Sequence, residues 1–133
     1  MGTLIDTSLL VAAERGTFDL DGFLSGYPEE RWFISAISVS EMLHGVLRSG
    51  SPTRYARRLA FAEDKIQRFP VLAFDLPAAR THAEIWTELA RRGLMIGERD
   101  LLIAATAISR NHAVATRDLR SFPKIPNLTV LNL

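Results

Sequence analysis

Four acidic residues lie at points where a predicted strand ends or a predicted helix begins. Asp6 closes a short apolar run, and Asp118 follows another apolar run that ends at Thr116. Glu41 and Asp100 fall in the first turns of two predicted helices. In a parallel sheet these junctions can all face the carboxyl edge of the strands, where open α/β sheets bind their ligands. Carboxylates that converge there repel one another unless a hard cation neutralises them, and their oxygens suit Mg²⁺ or Mn²⁺.

A site of this kind is suited to the cleavage of phosphate esters. A divalent cation lowers the pKa of a bound water, which makes a nucleophile available near neutral pH, and it stabilises the charge of the transition state. The acidic residues therefore predict hydrolysis of a phosphodiester bond by a metal-activated water.

Each of these acids also has an ordinary structural explanation. An acid in the first helical turn interacts favourably with the helix dipole, and an aspartate after a strand is a common turn residue. Ser38 and Glu41 match a capping box, which would begin a helix at that point. Asp75 also follows a strand, but the Leu-Pro pair after it is typical of a plain helix N-cap. Position in the chain alone does not select the site residues.

The elements that must position these acids alternate between strands and helices. The predicted strands cover residues 3–5, 32–35, 71–74, 113–116 and 128–131. The predicted helices cover residues 8–15, 19–25, 38–48, 53–67, 77–92 and 101–108, and a turn or short helix covers 118–122. This alternation predicts an α/β fold, in which a short parallel sheet is covered by helices on both faces. The helix at 53–67 carries Arg54, Arg57, Arg58 and Lys65, which predicts a basic surface helix.

Composition limits the classes of protein that remain. The chain has 133 residues, 47% of them apolar, which predicts one folded domain over 1–133. It contains no cysteine, so any metal must be held by oxygen or imidazole. No apolar run approaches the ~20 residues of a membrane span, and we expect a cytoplasmic protein. Lys65 and Lys124 are the only lysines among 16 basic residues. The resulting excess of arginine favours a phosphate-rich partner, although a compositional bias of the genome would explain it equally well.

Four motifs resemble those of PIN domains, in the same order and along essentially the whole chain. Residues 4–10 (LIDTSLL) resemble the first acidic motif, and residues 38–45 (SVSEMLHG) resemble the glutamate helix. Residues 96–105 (IGERDLLIAA) and 115–122 (ATRDLRSF) are similar to the third and fourth motifs. Their order and spacing, together with the size of the chain, resemble VapC-like toxins, which are small PIN ribonucleases made with a VapB-like antitoxin.

The resemblance implies a function and a site. It implies an endoribonuclease toxin of a toxin–antitoxin pair, with RNA as its substrate and Mg²⁺ or Mn²⁺ as its cofactor. Asp6 and Asp100 would be metal ligands. Glu41 would be a metal ligand or a partner of the catalytic base, and Asp118 would bind the metal directly or through water. The partners implied are a VapB-like antitoxin and a second copy of the chain, in a homodimer and in a heterotetramer or larger complex with the antitoxin.

Four further residues are candidates for contact with the substrate. The hydroxyl group of Thr116 could orient a water molecule or the phosphate, although a β-branched residue at this position could equally serve packing. Arg99, Arg117 and Arg120 flank the two later acids and could hold RNA phosphates. Charge balance beside carboxylates explains the same arginines.

Two alternative functions compete with the nuclease. A receiver-like domain is also α/β with acids at its strand ends, but it needs an acidic pair near the first strand and a suitably placed lysine, and Asp6 has no acidic neighbour. A PIN-like protein-binding module without catalysis would use the acids as helix caps. Such a module has no need to keep four mutually repelling carboxylates, which favours the nuclease.

Overall fold

Five parallel strands form one sheet in the order β3-β2-β1-β4-β5 in this computed structural model, which describes residues 1–132. The strands are β1 (Thr3–Ile5), β2 (Trp32–Ser35), β3 (Val71–Leu72), β4 (Ala113–Thr116) and β5 (Val130–Asn132). The helices are α1 (Thr7–Glu14), α2 (Leu20–Ser25), α3 (Ala36–Leu47), α4 (Pro52–Arg68), α5 (Leu76–Arg91) and α6 (Glu98–Ser109), and a 3₁₀ turn covers Phe122–Lys124. The predicted α/β fold with a parallel sheet is confirmed.

The core lies on both faces of the sheet, because successive side chains of a strand point to opposite sides. Leu4 of β1 packs in one apolar cluster with Val114 of β4 and with residues of α5 and α6. Its neighbour Ile5 packs in the other cluster, with Ile34 of β2 and residues of α1 and α2. Burial on both faces explains why the strands appear in the sequence as continuous apolar runs.

Two of the long helices begin where local sequence signals place them. Ser51 caps α4 by accepting a hydrogen bond from the backbone of Arg54, with Pro52 as the first helical residue. Asp75 caps α5 by accepting from the backbone N–H of Ala78 at 3.1 Å. The prediction that Asp75 is an N-cap is confirmed, and this carboxylate is used by the backbone.

The start of α3 differs from the prediction. The capping box at Ser38 is wrong, because Ser35 at the end of β2 is the N-cap and accepts from the backbone N–H of Ser38 at 3.0 Å. The strand thus passes into the helix without a loop. Glu41 consequently lies in the second turn of α3 rather than the first, and its side chain is free for other contacts.

The remaining differences concern the ends of elements. β3 ends at Leu72 and β5 begins at Val130, so both are shorter than predicted. These are the two edge strands, each paired on one side only, and fewer residues are held in the ladder. α6 begins at Glu98, before the predicted start at residue 101, and Asp100 lies in its first turn.

The topology places β1 at the centre of the sheet. The chain moves from β1 to β2 and β3 on one side, and β4 and β5 lie on the other side. The reversal in strand order creates a crevice at the carboxyl end of β1, where α/β proteins bind their ligands. Asp6 is the first residue after β1 and lies at this point. No helix within residues 1–132 has both the length and the apolar character needed to cross a membrane.

Candidate active site

One cavity of about 430 Å³ at the carboxyl edge of the sheet is lined by all four candidate acids. Asp6 and Asp118 reach it from the segments after β1 and β4. Glu41 reaches it from α3 and Asp100 from α6. The structure therefore brings together the acids that the sequence analysis selected, and we call this space the acidic cavity. Asp75 does not line it and instead pairs with Arg110.

Asp6 is the most buried of the four, with 2% of its surface exposed. Its Oδ2 atom accepts hydrogen bonds from Ser8 Oγ at 2.7 Å and from Thr116 Oγ1 at 2.9 Å, and a longer one from the backbone of Ser8. These bonds all go to Oδ2, which leaves Oδ1 available for another partner. Burial raises the pKa of Asp6, although the hydrogen bonds from Ser8 and Thr116 oppose the rise by stabilising the carboxylate.

The pKa of Asp100 is raised both by burial and by the charges of the other three acids. Burial raises its pKa to about 6, and the negative charge of Asp6 adds to the rise. Asp118 and Glu41 act in the same direction, while a hydrogen bond from Ser121 opposes it. The other three carboxylates are therefore close enough to Asp100 to oppose its ionisation.

Asp118 is held by the turn that follows β4. Its Oδ1 atom accepts from the backbone N–H groups of Arg120 at 2.9 Å and Ser121 at 3.3 Å. Partial burial alone would raise its pKa, but these hydrogen bonds, together with the Ser121 side chain and the charge of Arg120, lower it. Asp118 stays ionised beside an Asp100 that resists ionisation.

Glu41 is held by a side chain from another helix. Thr7 Oγ1 of α1 donates to Glu41 Oε1 at 2.8 Å. The same threonine oxygen lies 2.8 Å from Ser38 Oγ, one turn before Glu41 on α3. The predicted capping contact between Glu41 and the backbone of Ser38 is replaced by this contact between helices.

The acidic cavity fits a divalent cation in donor type and charge. Its carboxylates offer oxygen, the donor that Mg²⁺ and Mn²⁺ prefer. Burial is the main cause of the raised pKa of Asp100, and a cation would relieve the repulsion from the other carboxylates that adds to it. Yet nowhere in residues 1–132 do three acidic or imidazole side chains stand close enough to hold one ion as they are placed. Direct binding of one ion by three of them would require these side chains to move towards it, whereas Mg²⁺ is commonly held by one or two carboxylates together with water.

Thr116 had two possible roles, contact with the substrate and packing, and it lies inside the protein. It is fully buried, its hydroxyl group donates to Asp6, and its oxygen accepts from the backbone N–H of Asp118 at 2.8 Å. This group is used within the protein and does not face the cavity, so the predicted direct contact with substrate does not fit its burial. Thr116 instead fixes the relative position of two acids.

Arg99 is exposed beside a second cavity of about 490 Å³. Glu41 and Asp100 line this cavity as well, so the two cavities share two of the four acids. A phosphate group held by Arg99 would therefore lie next to two of the four acids.

Arg117 and Arg120 are exposed on the segment after β4. The guanidinium group of Arg117 lies 4.8 Å from the centre of the Phe18 ring and donates to the Thr17 carbonyl group at 3.4 Å. These contacts hold Arg117 beside the acidic cavity, which Thr17 also lines. The side chain of Arg120 lowers the pKa of Asp118 through its charge.

A third cavity, of about 460 Å³, has a mixed apolar and basic lining. We call it the basic groove; its lining includes Leu10, Met42, Phe61, Arg15, Arg57, Arg58 and Glu41. It lies between α1, α3 and α4. Arg58 also donates to the carbonyl group of Gly45 at 3.0 Å, which ties α4 to α3.

Four hydroxyl groups that support the acids were not predicted, namely those of Thr7, Ser8, Ser38 and Ser121. A local signal was present for Ser8, because an aspartate followed two residues later by serine at a helix start favours a side-chain contact. No local signal indicates the contact between Thr7 and Ser38, which are 31 residues apart. Arg15, which lines both the acidic cavity and the basic groove, was also missed.

The PIN domain family matches residues 3–128. Ribonuclease VapC1 of Rickettsia felis is 35% identical over 133 residues, which cover 100% of this chain and 97% of that protein. The tRNA(fMet)-specific endonuclease VapC of Salmonella typhimurium is 39% identical over 100 residues, covering 75% of this chain and 74% of that protein.

Solved structures agree with the sequence comparison. A chain in the crystal structure of DNA-bound VapBC from Salmonella typhimurium superimposes with a TM-score of 0.89 at 30% identity, over 99% of this chain and 98% of that chain. The receiver-like alternative is thereby excluded, since full-length similarity at this level connects the chain to another family. This chain belongs to the PIN domain family, and within it to the VapC ribonucleases.

Proposed function

We propose that this chain is a Mg²⁺- or Mn²⁺-dependent endoribonuclease that acts as the toxin of a toxin–antitoxin pair. The observation that carries the proposal is the acidic cavity, which four carboxylates from four separate elements line together. The raised pKa of Asp100, caused first by burial and then by the neighbouring carboxylates, supports it, because perturbed pKa values cluster at functional sites. The full-length relative named as a ribonuclease supports RNA as the substrate class.

The chemistry proposed is hydrolysis of an RNA phosphodiester bond. A bound cation supplies Lewis-acid stabilisation of the charge that develops on the phosphate oxygens. Asp6 and Asp100 would hold this cation, with Glu41 as a ligand or as the acceptor of the proton from the attacking water. Asp118 would act directly or through water. Water attacks phosphorus in line, and the ribose 3′-oxygen leaves.

Substrate binding is proposed for the three arginines around the acids. Arg99 would hold a phosphate group beside Glu41 and Asp100, because it lines a cavity with both of them. Arg117 would hold a neighbouring phosphate with little loss of side-chain entropy, since Phe18 already restricts its position. Arg120 would contribute positive charge.

The antitoxin is proposed to occupy the basic groove. Apolar residues of the groove would accept the apolar face of a VapB-like segment, and its arginines would pair with acids on the same segment. Because Glu41 lines both this groove and the acidic cavity, a segment bound in the groove ends beside the catalytic acids. The solved VapBC structure supports a partner of this kind.

A nuclease assay tests the enzymatic part of the proposal. Purified protein is incubated with messenger, ribosomal and transfer RNA in Mg²⁺, in Mn²⁺ and in EDTA. The name of the Salmonella relative makes initiator tRNA the first RNA to include. Cleavage that requires the metal and is lost in Asp100→Asn is expected. A protein that cuts no RNA in any metal would favour the alternative of a binding module without catalysis.

Expression in cells tests the toxin role separately. The chain expressed alone should arrest growth, and co-expression of a VapB-like neighbouring gene should restore it through a complex that survives purification. Nuclease activity in vitro without growth arrest would refute the toxin role and leave the ribonuclease standing.

The homodimer, and its larger complex with antitoxin, stay predictions. Light scattering of the purified chain measures the mass in solution directly. Trp86 and Met95, which are 61% and 92% exposed beside an apolar cavity of about 720 Å³, give a surface at which to test the dimer. Trp86→Arg should produce monomers if this surface is the interface.

A further inference from the structure

Three hydroxyl groups connect the end of β2 to Glu41. Ser35 Oγ donates to Ser38 Oγ at 3.2 Å, and Ser38 Oγ lies 2.8 Å from Thr7 Oγ1. Thr7 Oγ1 then donates to Glu41 Oε1 at 2.8 Å. The three residues are only 1%, 0% and 9% exposed, in the order Ser35, Ser38, Thr7, so water hardly competes for these groups.

The direction of every bond in this chain follows from the fact that a hydroxyl group carries one hydrogen. An ionised carboxylate can only accept, so the hydrogen of Thr7 goes to Glu41. Thr7 therefore has no hydrogen left for Ser38, and the bond between them, which distance alone leaves undirected, must be donated by Ser38. Ser35 in turn donates to Ser38 and accepts from its backbone N–H. The three hydrogen bonds are therefore all donated in the same direction along the chain of hydroxyl groups, which ends at Glu41.

Glu41 depends on this chain for its position. Among residues 1–132, Thr7 is the only side chain that donates a hydrogen bond to Glu41. A glutamate has three side-chain torsions, and a half-buried one without a donor would sample several positions. Threonine at the start of a helix has more than one accessible rotamer, and the donation from Ser38 favours the one that points at Glu41.

We propose that Thr7 and Ser38 form a directed hydroxyl relay that positions Glu41 for cation binding and for proton transfer. The inference rests on the proposed function, since it assigns Glu41 a place in that chemistry. Thr7 and Ser38 are positioning residues, which act through Glu41; Thr7 also lines the acidic cavity, whereas Ser38 is fully buried behind it. In the relay, Ser38 acts on Glu41 only by way of Thr7.

Isosteric variants and a titration with Mn²⁺ test the relay. Thr7→Val keeps the shape of the side chain and removes its hydroxyl group, while Thr7→Ser keeps the hydroxyl group. Paramagnetic resonance measures the dissociation constant for Mn²⁺ without RNA, and single-turnover cleavage measures the rate. Thr7→Val should weaken Mn²⁺ binding by about 10- to 100-fold, the usual effect of losing a group that orients a ligand. Thr7→Ser should stay near the wild type.

The order of action is tested by the double variant. Ser38→Ala alone should weaken Mn²⁺ binding by about 2- to 10-fold, the effect of one buried hydrogen bond. In the Thr7→Val background the same change should add nothing, because the connection to Glu41 is already cut. Two effects that multiply would mean that the residues act independently and would overturn the relay.

Thr106→Val is the matched control. Thr106 is also fully buried, but its hydroxyl group donates to the Leu102 carbonyl group within α6. It should lose stability without a change in the dissociation constant for Mn²⁺. Thr7→Val would overturn the relay if it behaved in the same way, with a lower melting temperature and unchanged Mn²⁺ binding.

The remaining outcomes separate the relay from the proposed function. A wild-type protein that neither binds Mn²⁺ nor cuts RNA would overturn both. A wild-type protein that does both, with Thr7→Val equal to it, would overturn the relay alone. Should Thr7→Val fail to fold, Ser38→Ala decides, and Mn²⁺ binding equal to the wild type in that variant overturns the relay.

Discussion

Asp100→Asn should make the metal-free protein more stable while it removes the proposed activity. The carboxylate of Asp100 is ionised at neutral pH in spite of burial and of the negative charges of Asp6, Asp118 and Glu41. Asparagine has nearly the same shape and carries no charge, so the repulsion disappears. Here a residue proposed to bind the cation lowers the stability of the fold that holds it.

The magnitude follows from the pKa of Asp100. A rise from 3.8 to about 6 corresponds to roughly 3 kcal/mol of free energy against the ionised folded state. Asp100 is partly exposed, and screening by solvent reduces this figure, so we expect a gain in the free energy of unfolding of about 1–2 kcal/mol. The folded pKa lies above the unfolded one, so the gain is full above about pH 6, shrinks as the pH falls towards 3.8, and is absent below that value.

Urea denaturation in EDTA measures this difference at about pH 7.5 and at about pH 3.5. Asp75→Asn is the control, because this aspartate caps α5, pairs with Arg110 and does not line the acidic cavity. It should be neutral or slightly destabilising, since asparagine is about as good an N-cap and the ion pair is partly exposed, with 24% of the Arg110 side chain and 44% of the Asp75 side chain accessible. The reasoning would be refuted if the Asp100→Asn variant were no more stable than the wild type at the higher pH, or if it were stabilised equally at both pH values.

Three further predictions follow from the same site. Asp6→Asn should abolish RNA cleavage in a gel assay while the circular dichroism spectrum stays unchanged, whereas Asp75→Asn should cut RNA at the wild-type rate. The reverse result would mean that the acids are wrongly assigned. Millimolar Mn²⁺ should raise the melting temperature of the wild type, because a ligand that binds the folded state stabilises that state. It should raise the melting temperature of Asp100→Asn by less, and equal shifts would contradict a role for the Asp100 carboxylate. Thr116→Val should lower the free energy of unfolding by about 1–3 kcal/mol and slow cleavage, because it removes the hydrogen-bond donor to Asp6 and the acceptor for the backbone N–H of Asp118. An unchanged cleavage rate would show that Asp6 needs no such support.

The sheet and the acids at its edge could be predicted because their signals are local. β1 and β4 are buried on both faces, and each appears in the sequence as a mainly apolar run with an acid one or two residues after its end. Asp6 and Asp118 therefore follow from the strands, and the parallel arrangement follows from the helices between them. Edge strands carry a weaker signal, since fewer of their residues are held in the sheet, and the predictions for β3 and β5 were too long.

The start of α3 could not be predicted from local sequence, because Ser35 and Ser38 are both good N-caps. A tertiary contact decides between these two serines. Ser38 is fully buried, and its hydroxyl group bonds to Thr7 of another helix, so it is occupied inside α3 and leaves the cap to Ser35. The same contact determines the direction of the Glu41 side chain, which is why the error in the helix start and the missed support of Glu41 have one cause.

Glu41 also shows why catalysis and inhibition can share one residue in this fold. It lines the acidic cavity, the cavity beside Arg99 and the basic groove between α1, α3 and α4. A bound RNA and an antitoxin segment in the groove would therefore meet at this side chain, and a basic group from the segment would take the place that a cation needs. Arg15 lines both the groove and the acidic cavity from α1, so it must accommodate either occupant. Because neither Thr7 nor Ser38 lines the groove, a variant of the relay changes the groove only at Glu41, so it should weaken cleavage more than antitoxin binding, which separates the two roles of this surface.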